Sequence, residues 1–349
     1  MDTTQPVSVD TCVVIDCNEW IRLKWLGSPI GLAFLSTLKR NPALRLAIPE
    51  TLNEELDKHC TKIARELIEK LKDITVEIGT ITGDSIAAGI VTLTEESIEV
   101  AIRQRQAGIA SQTIYPTMTI EEVRRALSRV NAGTPPNAPK NQQMKDSLIW
   151  ESCVSLAKNH QVFFVTSDNG FYADRQPKKG LAANLALEDV VKNEQLKVFS
   201  SLEDAMRSFA PDSSLDSNEA ASIDSKDLIA AQAREAFDYS PVAADMQAEI
   251  GLRGVVPAYF RTEAAYTFAV SFAAFFYVNK DAEDSVRGEA AVSGECRLDT
   301  RQGTIEAFSS RTIDWRLRDP VKGEFRLHEI LDLTGSFNSD IEPSNIKNT

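Results

Sequence analysis

The chain is poor in the residues from which many sites and covalent staples are built. Its 349 residues include three histidines (His59, His160 and His328), scattered so widely that a histidine-based zinc or acid/base site has little support. The five cysteines (Cys12, Cys17, Cys60, Cys153 and Cys296) are odd in number and lack C-x-x-C spacing, which argues against a disulfide framework or a cysteine zinc site. A reduced, cytoplasmic setting fits that usage best. No window reaches the ~18 uninterrupted apolar residues of a membrane span. Residues 264–278 come closest, but Thr267 and Ser271 interrupt them and a core strand is expected there. Residues 1–10 are polar, with no basic segment leading into an apolar run, so no secretory signal is expected. A basic surplus is also missing. Thirty-eight Lys and Arg against fifty-one Asp and Glu leave a net charge of -13, which excludes simple coating of a polyanion. Any nucleic-acid contact must rely on local patches or on metal ions.

What is present is ordinary globular material, 43% hydrophobic and 26% charged, in a length that suggests two domains of ~150 residues each. The composition changes once, at residues 211–226 (PDSSLDSNEAASIDSK), where large apolar side chains almost vanish. This divides the chain into an expected domain at 1–210, a linker at 211–226, an accessory domain at 227–337 and a tail at 338–349. The first part holds 24 basic and 27 acidic residues and the remainder 14 and 24, so most of the acidity lies beyond residue 210.

In the first part, short β-branched or aromatic runs at 11–16 (TCVVID), 44–48 and 161–166 (QVFFVT) alternate with helical patterns at 29–39, 50–72, 120–130 and 145–159. Strands separated by helices predict an α/β fold with a parallel sheet flanked by helices. Ligands in such sheets gather at the carboxyl ends of the strands. The second part reads as a smaller α+β module. A helix at 227–237, extending as far as 250, precedes strands at 266–278, 287–298, 303–315 and 325–333 in an antiparallel meander.

Three acids fall where the parallel sheet would expose them. Asp16 closes the first strand, Asp168 follows the third, and Asp146 opens a helix. A fourth, Glu55, shares a helical face with Leu52, Leu56 and His59, where an acid costs desolvation energy unless a cation sits opposite. Taken singly, each has a plain structural role: Asp16 and Asp146 as helix caps, Asp168 in an Asx turn before Gly170, Glu55 paired with Lys58 or an arginine. Converging, they would suit a hard divalent cation.

The order strand-D-x-N, P-x-x-x-x-E-E-L, K-D-S-L-I-W and F-V-T-S-D-N-G-F resembles the PIN domain family of metal-dependent nucleases over residues 11–200. The larger PIN-like branch, with a Pro-Pro segment before an acidic helix start, is the nearer likeness, carried here by 133–137 (GTPPN). The resemblance implies a parallel α/β sandwich, RNA as substrate, and phosphodiester hydrolysis with Mg²⁺ or Mn²⁺ held by Asp16, Glu55, Asp146 and Asp168. Glu54 is the register alternative to Glu55. Asn18, Thr166, Ser167 and Asn169 would support the acids, Asn169 standing where an acid sometimes does, so one metal or two stays open. Arg125, Arg129 and Lys145, with Arg124, flank the Pro-Pro segment and could hold substrate phosphates. The accessory module would serve a protein partner or regulator. Two rivals remain: a non-catalytic PIN-like module binding nucleic acid or protein, and a haloacid-dehalogenase-type phosphatase, whose D-x-D is broken by Asn18.

Overall fold

The computed structural model describes residues 10–83, 93–138, 142–238, 249–279, 287–319 and 323–330. The expected tail at 338–349 lies outside them, as does the end of the last expected strand. The chain divides into two compact units, Met1–Gly27 with Thr37–Pro211 and Ser28–Ser36 with Asp212–Thr349.

The first unit is built on five parallel strands: β1 (Thr11–Ile15), β2 (Leu44–Ala47), β3 (Thr113–Ile114), β4 (Gln161–Val165) and β5 (Leu196–Phe199). Their order is β3-β2-β1-β4-β5. The chain therefore winds outward from β1 in one direction, then returns to start again at β4 in the other. That reversal leaves a crevice beyond the carboxyl ends of β1 and β4. Both strands are fully apolar toward their ends, with Val13, Val14, Ile15, Val162, Phe164 and Val165 buried, as expected for a sheet covered on both faces.

The Glu50–Thr82 helix packs Leu52, Leu56, Cys60, Ala64 and Ile68 inward at helical spacing. It runs ten residues past the expected end at 72, through Gly79, to Gly83, which closes it in the left-handed region at φ 71°. The Met144–Leu156 helix buries Ile149, Trp150 and Cys153 and packs against the Ile120–Ala132 helix. Trp150 sits among Phe164 and Phe171 with its indole N–H donating to Glu188 Oε1 at 3.0 Å, so it is a core residue.

The second unit is a five-stranded antiparallel meander, β6 (Glu249–Arg261) to β10 (Gly323–Ile330), through β7 (Thr267–Asn279), β8 (Arg287–Asp299) and β9 (Thr304–Asp319). The Lys226–Asp238 helix lays Ile229, Ala233 and Phe237 on Phe276 and Trp315 of the sheet. The opposite face holds Glu295, which is buried. It accepts from Ser28 Oγ at 3.1 Å and from the Ile30 amide at 2.9 Å, and it pairs with Arg311 at 3.0 Å. It thus serves the free amides at the start of the Pro29–Arg40 helix.

Residues 211–226, expected as a linker, carry a 3-10 turn at Pro211–Ser213 and a helix at Ser217–Ala221 capped by the Asp216 side chain. Leu215, Ala220 and Ile223 pack against the core of the second unit. A few apolar side chains at the right spacing suffice to fold a segment that composition marks as polar.

Candidate functional site

The four acids expected to converge all belong to the first unit, and the fold brings them to one edge of its sheet. Asp16 follows β1 and caps the Cys17–Arg22 helix. Its Oδ1 accepts from the Cys17 amide at 2.8 Å and its Oδ2 from Thr166 Oγ1 at 2.9 Å. The same Thr166 hydroxyl accepts from the Asp168 amide at 3.1 Å, while Asp168 Oδ1 accepts from the Gly170 amide at 2.6 Å. One buried hydroxyl therefore orients the first acid and the turn that carries the last. Its carbonyl is held in turn by the Tyr172 hydroxyl at 2.5 Å.

Asp146 lies in the first turn of the Met144–Leu156 helix. The start of that helix is pinned by buried Asn137. Its Oδ1 accepts from the Gln143 amide at 2.6 Å, and its amide nitrogen donates to Ser147 Oγ at 2.8 Å and to the Thr134 carbonyl at 3.1 Å. Asn137 belongs to the Pro-Pro segment, which explains why that segment precedes an acidic helix start. The segment also touches the Asp168 turn: a Cβ on Gly170 would meet the Pro136 carbonyl oxygen at 2.8 Å and Asp168 Oδ1 at 3.0 Å. Only glycine fits there.

Glu55 is half-buried on the Glu50–Thr82 helix, and Lys145 Nζ lies 3.3 Å from its Oε1. Glu54 is exposed, so the register favours Glu55. The partner expected for Glu55 was Lys58 or an arginine; the fold supplies Lys145 instead.

The electrostatics of the group are distinctive. Burial, together with the charges of Asp168 and Glu55, raises the Asp16 carboxyl to about 6, against the opposing hydrogen bonds from Thr166 and Cys17. Burial and the charges of Asp168, Asp16 and Glu55 raise Asp146 to about 7, with Lys145 opposing. Asp168 and Glu55 act on both Asp16 and Asp146, so the four lie in one field. Their oxygens are the hard donors that Mg²⁺ and Mn²⁺ take, and an uncompensated negative field fits a divalent cation.

The other expected residues are distributed differently. Asn18, Ser167 and Asn169 are exposed, and the orienting role expected of Thr166 and Ser167 falls to Thr166. Arg125 and Arg129, expected to meet substrate phosphates, instead clamp buried Glu151, at 2.5 Å and 2.6 Å. Arg129 also reaches Glu188 at 2.5 Å. Their guanidinium groups are consumed inside the protein, because a glutamate on the neighbouring helix faces them. The charge of Glu151 is balanced by the same clamp. Lys145, exposed beside Glu55, is the member of the expected cationic set that remains at the acid group.

One convergence was not expected. Cys17, Glu55 and His59 each offer a ligand atom, and the three atoms lie within 4.8 Å of one another. Burial, then the charges of Glu55 and Asp16, pushes the Cys17 thiol up to about 12. His59 was visible on the face of Glu55 one turn away, but nothing in the sequence brings Cys17 to them.

No helix among the described residues is long and apolar enough to cross a membrane. Residues 7–171 match the family model of the PIN domain, and no family model matches the second unit. No curated protein and no solved structure matches the chain. That match agrees with the parallel sheet and with the acids at the carboxyl ends of β1 and β4, and the family it points to, the PIN domain, is usually nuclease-like.

Proposed function

We propose that the chain is a metal-dependent nuclease that hydrolyses RNA phosphodiesters at the Asp16, Glu55, Asp146 and Asp168 group. The observation that carries this reading is the convergence of four acids at the carboxyl ends of β1 and β4, where the charges of Asp168 and Glu55 act on both Asp16 and Asp146 and Lys145 stands beside Glu55. A partly buried cluster of this kind is unfavourable by itself and calls for positive charge from solution.

Bound at these oxygens, Mg²⁺ or Mn²⁺ would polarise a phosphodiester and lower the pKa of a water beside it. The chain's residues supply the frame. Thr166 fixes the Asp16 carboxylate, the Asp168 turn is locked by its own amide contacts, and Asn137 sets the helix turn that presents Asp146. Lys145 is positioned to meet a phosphate oxygen once Glu55 turns to a metal. Such a mechanism needs no nucleophilic side chain. The second unit would bind a protein partner or regulate access, and the setting would be cytoplasmic.

The test is incubation of the purified chain with labelled single-stranded RNA and DNA in Mg²⁺, Mn²⁺ or EDTA, beside Asp16→Asn. Metal-dependent cleavage of RNA, lost in the variant, supports the reading. Cleavage equal in EDTA or in Asp16→Asn overturns it. Exposed Asn169, standing where an acid sometimes does, favours the second reading of a non-catalytic binding module, in which RNA would be bound and left intact.

A further inference from the structure

We infer that Cys17, His59 and Glu55 form a binding site for a borderline divalent cation of the zinc type, and that filling it withdraws Glu55 from the acid group and inhibits the hydrolysis proposed above. The inhibitory half rests on that proposed function; the metal site does not.

The donor chemistry differs from that of the four acids. A thiolate and an imidazole favour zinc-like ions over magnesium, whereas carboxylates alone do not discriminate in that direction. Zinc bonds of ~2.0 Å to nitrogen or oxygen and ~2.3 Å to sulfur place tetrahedral ligands ~3.5 Å apart. The three atoms here already lie within 4.8 Å of one another, so modest side-chain rotation closes the set. The placement is built by rigid elements. Glu55 and His59 are one turn apart on the Glu50–Thr82 helix, and Cys17 opens the Cys17–Arg22 helix whose cap is Asp16. Cys17 is buried while Glu55 and His59 are half-buried, leaving an open side for water as a fourth ligand. On binding, the Cys17 S–H bond breaks, its proton leaves to solvent, and a sulfur–metal bond forms; no electron is transferred.

The functional consequence follows from the sharing of one residue. Glu55 contributes to the field at both Asp16 and Asp146, so its capture by a second ion weakens the hard-cation site. Two metals of different character would then compete through one carboxylate.

The experiment uses full-length protein and Co²⁺ as a spectroscopic substitute for Zn²⁺. The wild type should develop a near-ultraviolet sulfur-to-cobalt charge-transfer band that Zn²⁺ abolishes. Cys17→Ser should lack the band, Cys60→Ser should keep it, and His59→Gln should weaken binding by about tenfold or more. In the second arm, low Zn²⁺ should inhibit Mn²⁺-dependent RNA cleavage by the wild type, while Cys17→Ser cleaves and resists. A folded wild type without the band, or a band surviving in Cys17→Ser, overturns the site; equal inhibition of both proteins overturns the inhibitory role. If Cys17→Ser fails to fold, His59→Gln decides, since unchanged cobalt affinity there also overturns the site. A wild type that cleaves nothing removes the proposed function, and the cobalt band still decides the metal site.

Discussion

Two groups of carboxylates in the first unit invite comparison. Glu151 lies between two helices with Arg125 and Arg129 at hydrogen-bonding distance. Asp16 and Asp146 lie at the carboxyl edge of the sheet with other acids as neighbours and Lys145 opposing. Glu151 and Asp16 are both buried and Asp146 is half-buried, and the surroundings of the two groups are opposite. Where the fold provides guanidinium groups, a buried acid joins helices together. Where the fold gathers acids beside a single lysine, as at Asp16 and Asp146, the proposed site would draw the missing charge from a metal ion.

The sharpest way to break this comparison is to neutralise one member of each group. Asp16→Asn should reduce RNA cleavage by about a thousandfold or more, because it removes a metal ligand, while Thr166 can still donate to the amide oxygen and keep the fold. Measured cleavage near wild type in folded Asp16→Asn would erase the distinction. Glu151→Ala should instead lower stability by about 2 to 4 kcal/mol in denaturant unfolding, since two guanidinium groups lose their shared acceptor. Its remaining activity should track the folded fraction. A variant that stays fully stable would show the clamp to be dispensable.

A metal titration sharpens the same contrast with a smaller effect. Mn²⁺ at a hundredfold excess over its Kd should stabilise the wild type by ~2.7 kcal/mol, seen as a rise in Tm. The rise should shrink in Asp146→Asn. It should persist in Asp174→Asn, whose carboxylate is exposed and paired with Lys179. Equal responses from all three proteins would mean nonspecific binding to an acidic surface.

The smallest expected effect is in pH. Asp16 and Asp146 have folded values of about 6 and about 7, above the ~3.9 of an unfolded aspartate. Their contribution to stability is therefore fully present below about pH 4 and is lost as pH rises through 6 and 7. Without metal, Asp146→Asn should lose less stability than the wild type between pH 5 and 8. A bound divalent cation reverses the preference, so the Mn²⁺ shift should grow over the same range. A shift that shrinks with rising pH would contradict the assignment of these acids.

Much of the first unit could be read in the sequence because its signals are local. The β-branched run ending at Asp16, the aromatic run before Asp168 and the leucine spacing around Glu55 each declare their element. Strands β3, with two residues, and β5, with Lys197 in its middle, give weak patterns and depend on neighbours for their pairing. Strand β6 contains Pro257, and the helix expected as far as 250 overlaps its first two residues. It sits at the edge of its sheet, where a missing N–H is tolerated. At the site, the four acids were legible because each follows a recognisable strand or helix start. The partners were not. Arg125 and Arg129 look like phosphate binders until Glu151 is brought opposite them, and Cys17 meets His59 only through packing of two helices far apart in sequence.

The pairing of β1 with β4 has one more consequence. Ile15 stands in register with Val165, and the Asp16 amide continues the ladder to the Val165 carbonyl at 2.9 Å. The two strands that deliver Asp16 and Asp168 are thus held at the ~4.8 Å interval of backbone hydrogen bonding. The gauge of the site is inherited from the peptide group and is independent of which apolar side chains fill the layer beneath. Val14→Ala should reduce the fraction of folded molecules and leave each folded molecule with the same metal affinity, so that sequence drift in the core changes how many sites exist and not how wide they are.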